Sequence, residues 1–83
     1  MSTATDLDSR IREVMAEVLE IEPGEIGEEL RRDGTPQWDS ISHLRMVTAL
    51  EEAFGIRFTM KEVGEMERFT TVRRLVAEHL QGR

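Results

Sequence analysis

The 83-residue sequence contains no cysteine, so it can form neither a disulfide framework nor a thiolate metal site, and any thiol it uses must come from outside the chain. The redox compartment is left open by that absence. Histidine is scarce as well. His43 and His79 fall on different predicted helices with nothing to complete a zinc set. His43 also lies within one turn of Ser40, so the two point along one helix rather than across the cleft that a catalytic triad needs. Asp33 and Asp39 bracket a turn, but a calcium loop would need a glycine and a glutamate at places where this chain has neither. Glycine-rich nucleotide loops, internal repeats and low-complexity segments are all missing. No apolar run is long enough to span a bilayer, and Met1-Ser2-Thr3-Ala4-Thr5-Asp6 is not a basic segment followed by an apolar one, so a cytoplasmic location is expected.

What is present suits one module with a single small core. Apolar residues make up 39% of the chain, and the expected domain is 1–83, with its core over about 6–80 and no room for a second catalytic domain. The net charge of −6 argues against nucleic acid, whose phosphates need a basic face, and favours partners with positive patches; a merely solvated acidic surface is the plainer alternative. No membrane partner is expected, and the chain is read as a monomer.

Hydrophobic spacing predicts an all-α fold, a four-helix bundle of three main helices and one short one, with a long loop between the first and second. Residues 1–5 are small and polar and read as a frayed end. Leu7, Ile11, Val14, Met15, Val18 and Leu19 recur at steps of three and four, giving a first helix over about 7–20 that Pro23-Gly24 ends. The connection over 22–39 is long, but Ile26 and Leu30 are spaced to anchor it and Gly24 to Leu30 has room for a helical turn. Trp38, the single tryptophan, either packs this loop against the domain or meets an incoming partner. After the second helix Gly55 is a left-handed stop. Ile56-Arg57-Phe58 reads as a short extended piece, and Thr59 with Glu62 forms a capping box for a short helix over about 60–66. Gly64 weakens that helix, which then either moves aside for a buried cargo or is simply a connector. Thr70 is the expected cap of the last helix, whose apolar stripe is Val72, Leu75, Val76 and Leu80.

The richest stretch is Gln37-Trp38-Asp39-Ser40-Ile41-Ser42-His43-Leu44. Turn chemistry in Asp33-Gly34-Thr35-Pro36 precedes it, and no Gly or Pro interrupts the chain from Ile41 to Phe54. A helix should start at Asp39 or Ser40, either of which can cap it. The unpaired N–H groups and positive dipole at that end favour a phosphate ester on Ser40, with Asp39 orienting a metal-bound cosubstrate or a modifying enzyme. Alternatively, Asp39-Ser40 only caps the helix. Helical stepping puts His43, Met46, Val47, Leu50, Ala53 and Phe54 on one face, with His43 read as a core-edge or surface residue. Ile41, Leu44, Arg45 and Thr48 fall outside that face. Exposed Ile and Leu beside the serine make a partner-binding surface, unless they belong to a wide core stripe or are scattered surface hydrophobes.

Trp38-Asp39-Ser40-Ile41, then His43-Leu44, then Ala49-Leu50-Glu51-Glu52-Ala53-Phe54-Gly55-Ile56 resemble the Asp-Ser-Leu segment and following helix of acyl carrier and peptidyl carrier proteins. The likeness extends over nearly the whole chain in length and helix order. It implies that Ser40 carries covalent 4′-phosphopantetheine from coenzyme A, with Asp39 as the adjacent motif residue. It also implies a non-catalytic carrier of acyl, aminoacyl or polyketide intermediates held as thioesters. The partners it implies are a phosphopantetheinyl transferase, an acyl- or aminoacyl-loading enzyme, and ketosynthase, condensation or other tailoring enzymes. Ile41 stands where the family usually has Leu, and Gln37-Trp38 where a Gly-containing approach is more frequent. Ser42 and Arg45 replace the acidic residues typical of primary fatty-acid carriers, which points to a specialised pathway. The start at Met1 and the short tail suggest a free-standing carrier, although a module cut from a larger synthase would look alike. The competing reading is a small helical interaction module whose Ser40 is a cap or a phosphorylation site.

Overall fold

The first element begins earlier than its apolar repeat suggests. In the computed structural model, which describes residues 3–82 with side chains from Asp6 onward, α1 spans Thr3–Leu19. The backbone of residues 3–5 is therefore helical rather than frayed, with Asp6 in the first turn facing the positive end of the dipole. Met1 and Ser2 lie outside the described residues. α1 ends at Leu19, within a residue of the expected 20, but Pro23-Gly24 is not what stops it. Glu20 turns left-handed at φ 58°, and the Ile21 N–H donates back to the Ala16 carbonyl at 3.1 Å, which is the Schellman closure of a helix end. Pro23 instead opens a 3₁₀ turn over Pro23–Glu25, capped by Glu22.

α2 runs Ser40–Phe54 and ends in the same motif, with Gly55 at φ 66° and the Ile56 N–H on the Glu51 carbonyl at 3.1 Å. Here glycine takes the left-handed position without Cβ strain, as expected. α3 covers Met60–Glu65 behind the Thr59/Glu62 capping box, and α4 covers Phe69–Gln81. The expected Thr70 cap is corrected, since α4 starts one residue before it, from Arg68, and has no side-chain cap bond. The long loop supplies what a cap would: the Phe69 N–H donates to the Leu30 carbonyl at 3.1 Å, and the Arg32 N–H to the Glu67 carbonyl at 2.8 Å. Arg31 and Arg68 form an isolated antiparallel bridge between these pairs.

The core lies where α1, α2 and α4 converge. Ile11, Met15 and Leu19 from α1, Met46, Leu50 and Phe54 from α2, and Phe69, Val72, Leu75 and Val76 from α4 are all buried, each larger side chain contributing about 1.5–3 kcal/mol of apolar transfer. Ala53 is the exception on the α2 face. It is exposed at the stripe's margin. The long loop is pinned as its anchors promise, with Ile26 buried and Leu30 half-buried. Polar ties add to this: Arg12 Nε donates to the Ile26 carbonyl at 2.8 Å, and Arg73 of α4 bridges Asp8 of α1 and Glu28 of the loop at 3.1 and 2.7 Å. Arg12 and Arg73 both lie over the Phe69 ring, at 5.0 and 5.3 Å from its centroid.

A non-glycine residue in the left-handed region carries strain of roughly 1–2 kcal/mol, part of which glycine's larger unfolded-state entropy takes back. Glu20→Gly should therefore stabilise the fold by up to about 1 kcal/mol, read as a higher urea midpoint with an unchanged slope.

Candidate functional site

Ser40 is the first residue of α2. Asp39, extended at φ −87° and ψ −175°, is the cap: its carboxylate accepts the Ser42 N–H at 2.8 Å, and its carbonyl accepts the His43 N–H at 2.8 Å. Those bonds hold the Asp39 carboxyl below its ordinary range, the Ser42 backbone N–H being the main cause and Arg45 a weaker electrostatic one. The cap thus takes the carboxylate away from the Ser40 hydroxyl and onto the backbone.

Two buried rings flank the serine in sequence. Trp38 and His43 are 2% and 5% exposed, and Trp38 Nε1 donates to His43 Nδ1 at 2.9 Å. Indole can only donate, so Nδ1 is the acceptor and the imidazole proton sits on Nε2, which donates to the Val63 carbonyl of α3 at 2.8 Å. This corrects the reading of His43 as a core-edge or surface residue: a buried imidazole is stable here because both nitrogens are satisfied. Of the two readings of Trp38, packing of the loop is the one that holds. His79, the other histidine, meets Glu62 Oε1 at 2.9 Å and the edge of Phe58. It joins α4 to the cap of α3.

The loop before Ser40 is equally defined. Thr35 Oγ1 donates to the Arg31 carbonyl at 2.6 Å, the Thr35 N–H to the Arg32 carbonyl at 3.2 Å, and the Trp38 N–H to the Thr35 carbonyl at 2.9 Å. Gly34 supplies the positive φ of 105° that this pair of turns requires. Arg32 is thereby aimed at the helix start, where its Nη2 donates to Ser40 Oγ at 3.3 Å and its Nε lies 3.4 Å from the Trp38 carbonyl.

Outside the packed face, Ile41 and Leu44 are 64% and 61% exposed. Together with Arg45, Thr48, Ala49 and Glu52 they line a shallow open groove beside Ser40. Met60, 87% exposed at the start of α3, is a further large apolar side chain in solvent that the sequence reading passed over. Arg32 was passed over too. Nothing in the spacing of a loop residue and a helix residue signals that they meet.

Residues 37–78, half of the chain, match a family model described as the phosphopantetheine attachment site. The chain belongs to this family. It is a phosphopantetheine-carrying carrier protein, and its cofactor is 4′-phosphopantetheine linked covalently to a serine. Carrier domains of this kind are typically non-catalytic and work with a phosphopantetheinyl transferase and partner enzymes. The residues present fit such a group. An exposed hydroxyl stands at the positive end of a 15-residue helix, touched by a guanidinium and released from its neighbouring carboxylate. Among the described residues, no helix is long and apolar enough to cross a membrane.

The depressed Asp39 carboxyl sets a pH dependence. A carboxylate with a lowered folded-state pKa contributes stability above its unfolded pKa of about 4 and loses it as pH falls through the folded value. Asp39→Ala should therefore be less stable than wild type at neutral pH, with a gap that narrows steadily below about pH 4. Urea melts across that range would show it. A gap that stayed constant into acid would mean that the charge on Asp39 takes no part in the cap.

Proposed function

We propose that Ser40 is the attachment serine and that the chain carries acyl, aminoacyl or polyketide intermediates in a specialised biosynthetic pathway. The observation that carries this is the position of the Ser40 hydroxyl: exposed at the first turn of α2, inside the matched segment, between two residues locked to each other in the interior. Ser42, the other serine of that segment, is half-buried in the same turn with its N–H spent on the Asp39 cap. Loading forms a bond from Ser40 Oγ to the phosphorus of the phosphopantetheinyl group as the pyrophosphate bond of coenzyme A breaks; adenosine 3′,5′-bisphosphate leaves and the hydroxyl proton is released. The chain has only to present the oxygen, because the transferase brings the rest. The arm supplies the thiol on which thioesters form, which a chain without cysteine cannot provide itself.

The proposed partner surface is Ile41, Leu44, Arg45 and Thr48. Burying the two apolar side chains supplies affinity next to the arm, and the charge of Arg45 selects among loading, ketosynthase, condensation and tailoring enzymes. A positive charge at this place disfavours enzymes that read acidic carriers through basic patches. That supports a specialised pathway over primary fatty-acid synthesis.

Intact mass after incubation with coenzyme A and a phosphopantetheinyl transferase tests the attachment. Wild type should gain one phosphopantetheine, and Ser40→Ala none. The substitution should cost about 1 kcal/mol of stability or less, because Asp39 still caps α2. A Ser40→Ala chain that gains the mass would falsify the assignment. For the partner surface, Arg45→Glu should speed transfer with fatty-acid-type enzymes and slow it with the native ones, each by roughly fivefold, the scale of an exposed charge pair. Equal rates for both chains with both classes would reduce Arg45 to a solvated surface charge.

A further inference from the structure

Most arginines whose contacts are seen in this acidic chain are tied to structure. Arg73 pairs with Asp8 and Glu28, and Arg74 with Glu78. Arg10 holds the Ala53 carbonyl and covers Phe54, while Arg12 holds the Ile26 carbonyl and covers Phe69. Arg32 differs from them. It lies eight residues before Ser40, and among the described residues no ion pair joins it to a carboxylate. Its guanidinium faces the neutral hydroxyl of Ser40 and the Trp38 carbonyl instead.

Its aim does not depend on that hydroxyl. The Arg32 N–H is bonded to the Glu67 carbonyl at 2.8 Å, and its own carbonyl closes the turn from Thr35, so the backbone is fixed from two directions before the side chain makes any contact. A neutral hydroxyl gives a guanidinium one acceptor and no counter-charge, whereas a phosphate offers anionic oxygens that match its fork of five donors and can take two parallel bonds. On the reading that Ser40 is the attachment serine, esterification puts phosphorus on the oxygen that Arg32 already touches and the anionic oxygens two bonds beyond it. We propose that Arg32 is the positioning residue for the phosphodiester of the prosthetic arm. Its guanidinium pairs with the phosphate oxygens beside Ser40, restricts the first bonds of the arm and fixes the direction in which the arm leaves the helix. The distal part stays free to move. The pair is exposed, so salt weakens it.

Phosphorus NMR of the loaded protein tests this without any activity assay. Wild type, Arg32→Gln and Arg32→Lys are each loaded from coenzyme A with a permissive transferase and checked for full loading by intact mass. At low salt the wild-type resonance should be displaced and broadened relative to a free serine phosphodiester, and should move toward the free position as sodium chloride is added. Arg32→Gln should give the free position and a narrow line at every salt concentration. Arg32→Lys should fall between, because a point charge remains while the planar fork is lost. A loaded Arg32→Gln chain with the wild-type shift and line width overturns the proposal. So does a wild-type resonance that ignores salt, a result that needs no variant to fold or load. A wild-type chain that takes up no phosphopantetheine, or a Ser40→Ala chain that takes it up, overturns the attachment reading and this proposal with it. Those two outcomes are read from the mass alone, before any spectrum is recorded.

Discussion

The hydrogen bond from Trp38 to His43 is the constraint on which the site depends. It joins the last turn of the loop to the first turn of α2, and through His43 Nε2 it continues to the Val63 carbonyl in α3. Each group in this chain is buried or half-buried, and leaving one of them unpaired would cost about 1–3 kcal/mol. The three segments therefore hold their relative places or lose a buried bond together. Ser40 sits between the two rings in sequence and outside them in space. Its neighbours are tied by hydrogen bonds and its side chain is exposed, which is what the proposed loading at Ser40 requires.

The same bond gives the weak third helix a definite role. α3 is short and interrupted by Gly64, with little propensity of its own. It is held by polar contacts from two helices, His43 of α2 at Val63 and His79 of α4 at Glu62. Glu62 in turn completes the capping box with Thr59 and is held below its ordinary carboxyl range, first by the Thr59 N–H and then by His79. Val63 also packs against the core and Met66 at the C-cap is fully buried, so α3 is fixed to the bundle by both kinds of contact.

Charge is organised by position rather than by total. A net charge of −6 describes the chain as a whole, yet the groups nearest the Ser40 hydroxyl are a guanidinium and the positive end of a helix. The one carboxylate next to it in sequence is occupied by the backbone of α2. The surface around Ser40 is thus locally unlike the average surface of the protein.

Local signals were enough to find four helices, the capping box at Thr59 and the left-handed stop at Gly55: a helix face repeats every three or four residues, and a cap is settled within one turn. The exposure of Ile41 and Leu44 was legible for the same reason, since they step off the packed face. The junction at Ser40 could be read from Asp39 and the turn residues before it. The end of α1 near residue 20 was legible from the spacing, but the device that makes it was not, because a left-handed glutamate carries no sequence mark and Pro23-Gly24 offered a more conspicuous stop. Nor was the start of α4 before Thr70, which is set by backbone bonds from a loop some forty residues earlier in the chain, Phe69 to Leu30 and Arg32 to Glu67. The contacts that complete the site are of this second kind. Trp38 with His43, His43 with Val63 and Arg32 with Ser40 each join residues on different elements, and only the packing of those elements brings a donor within reach of its acceptor.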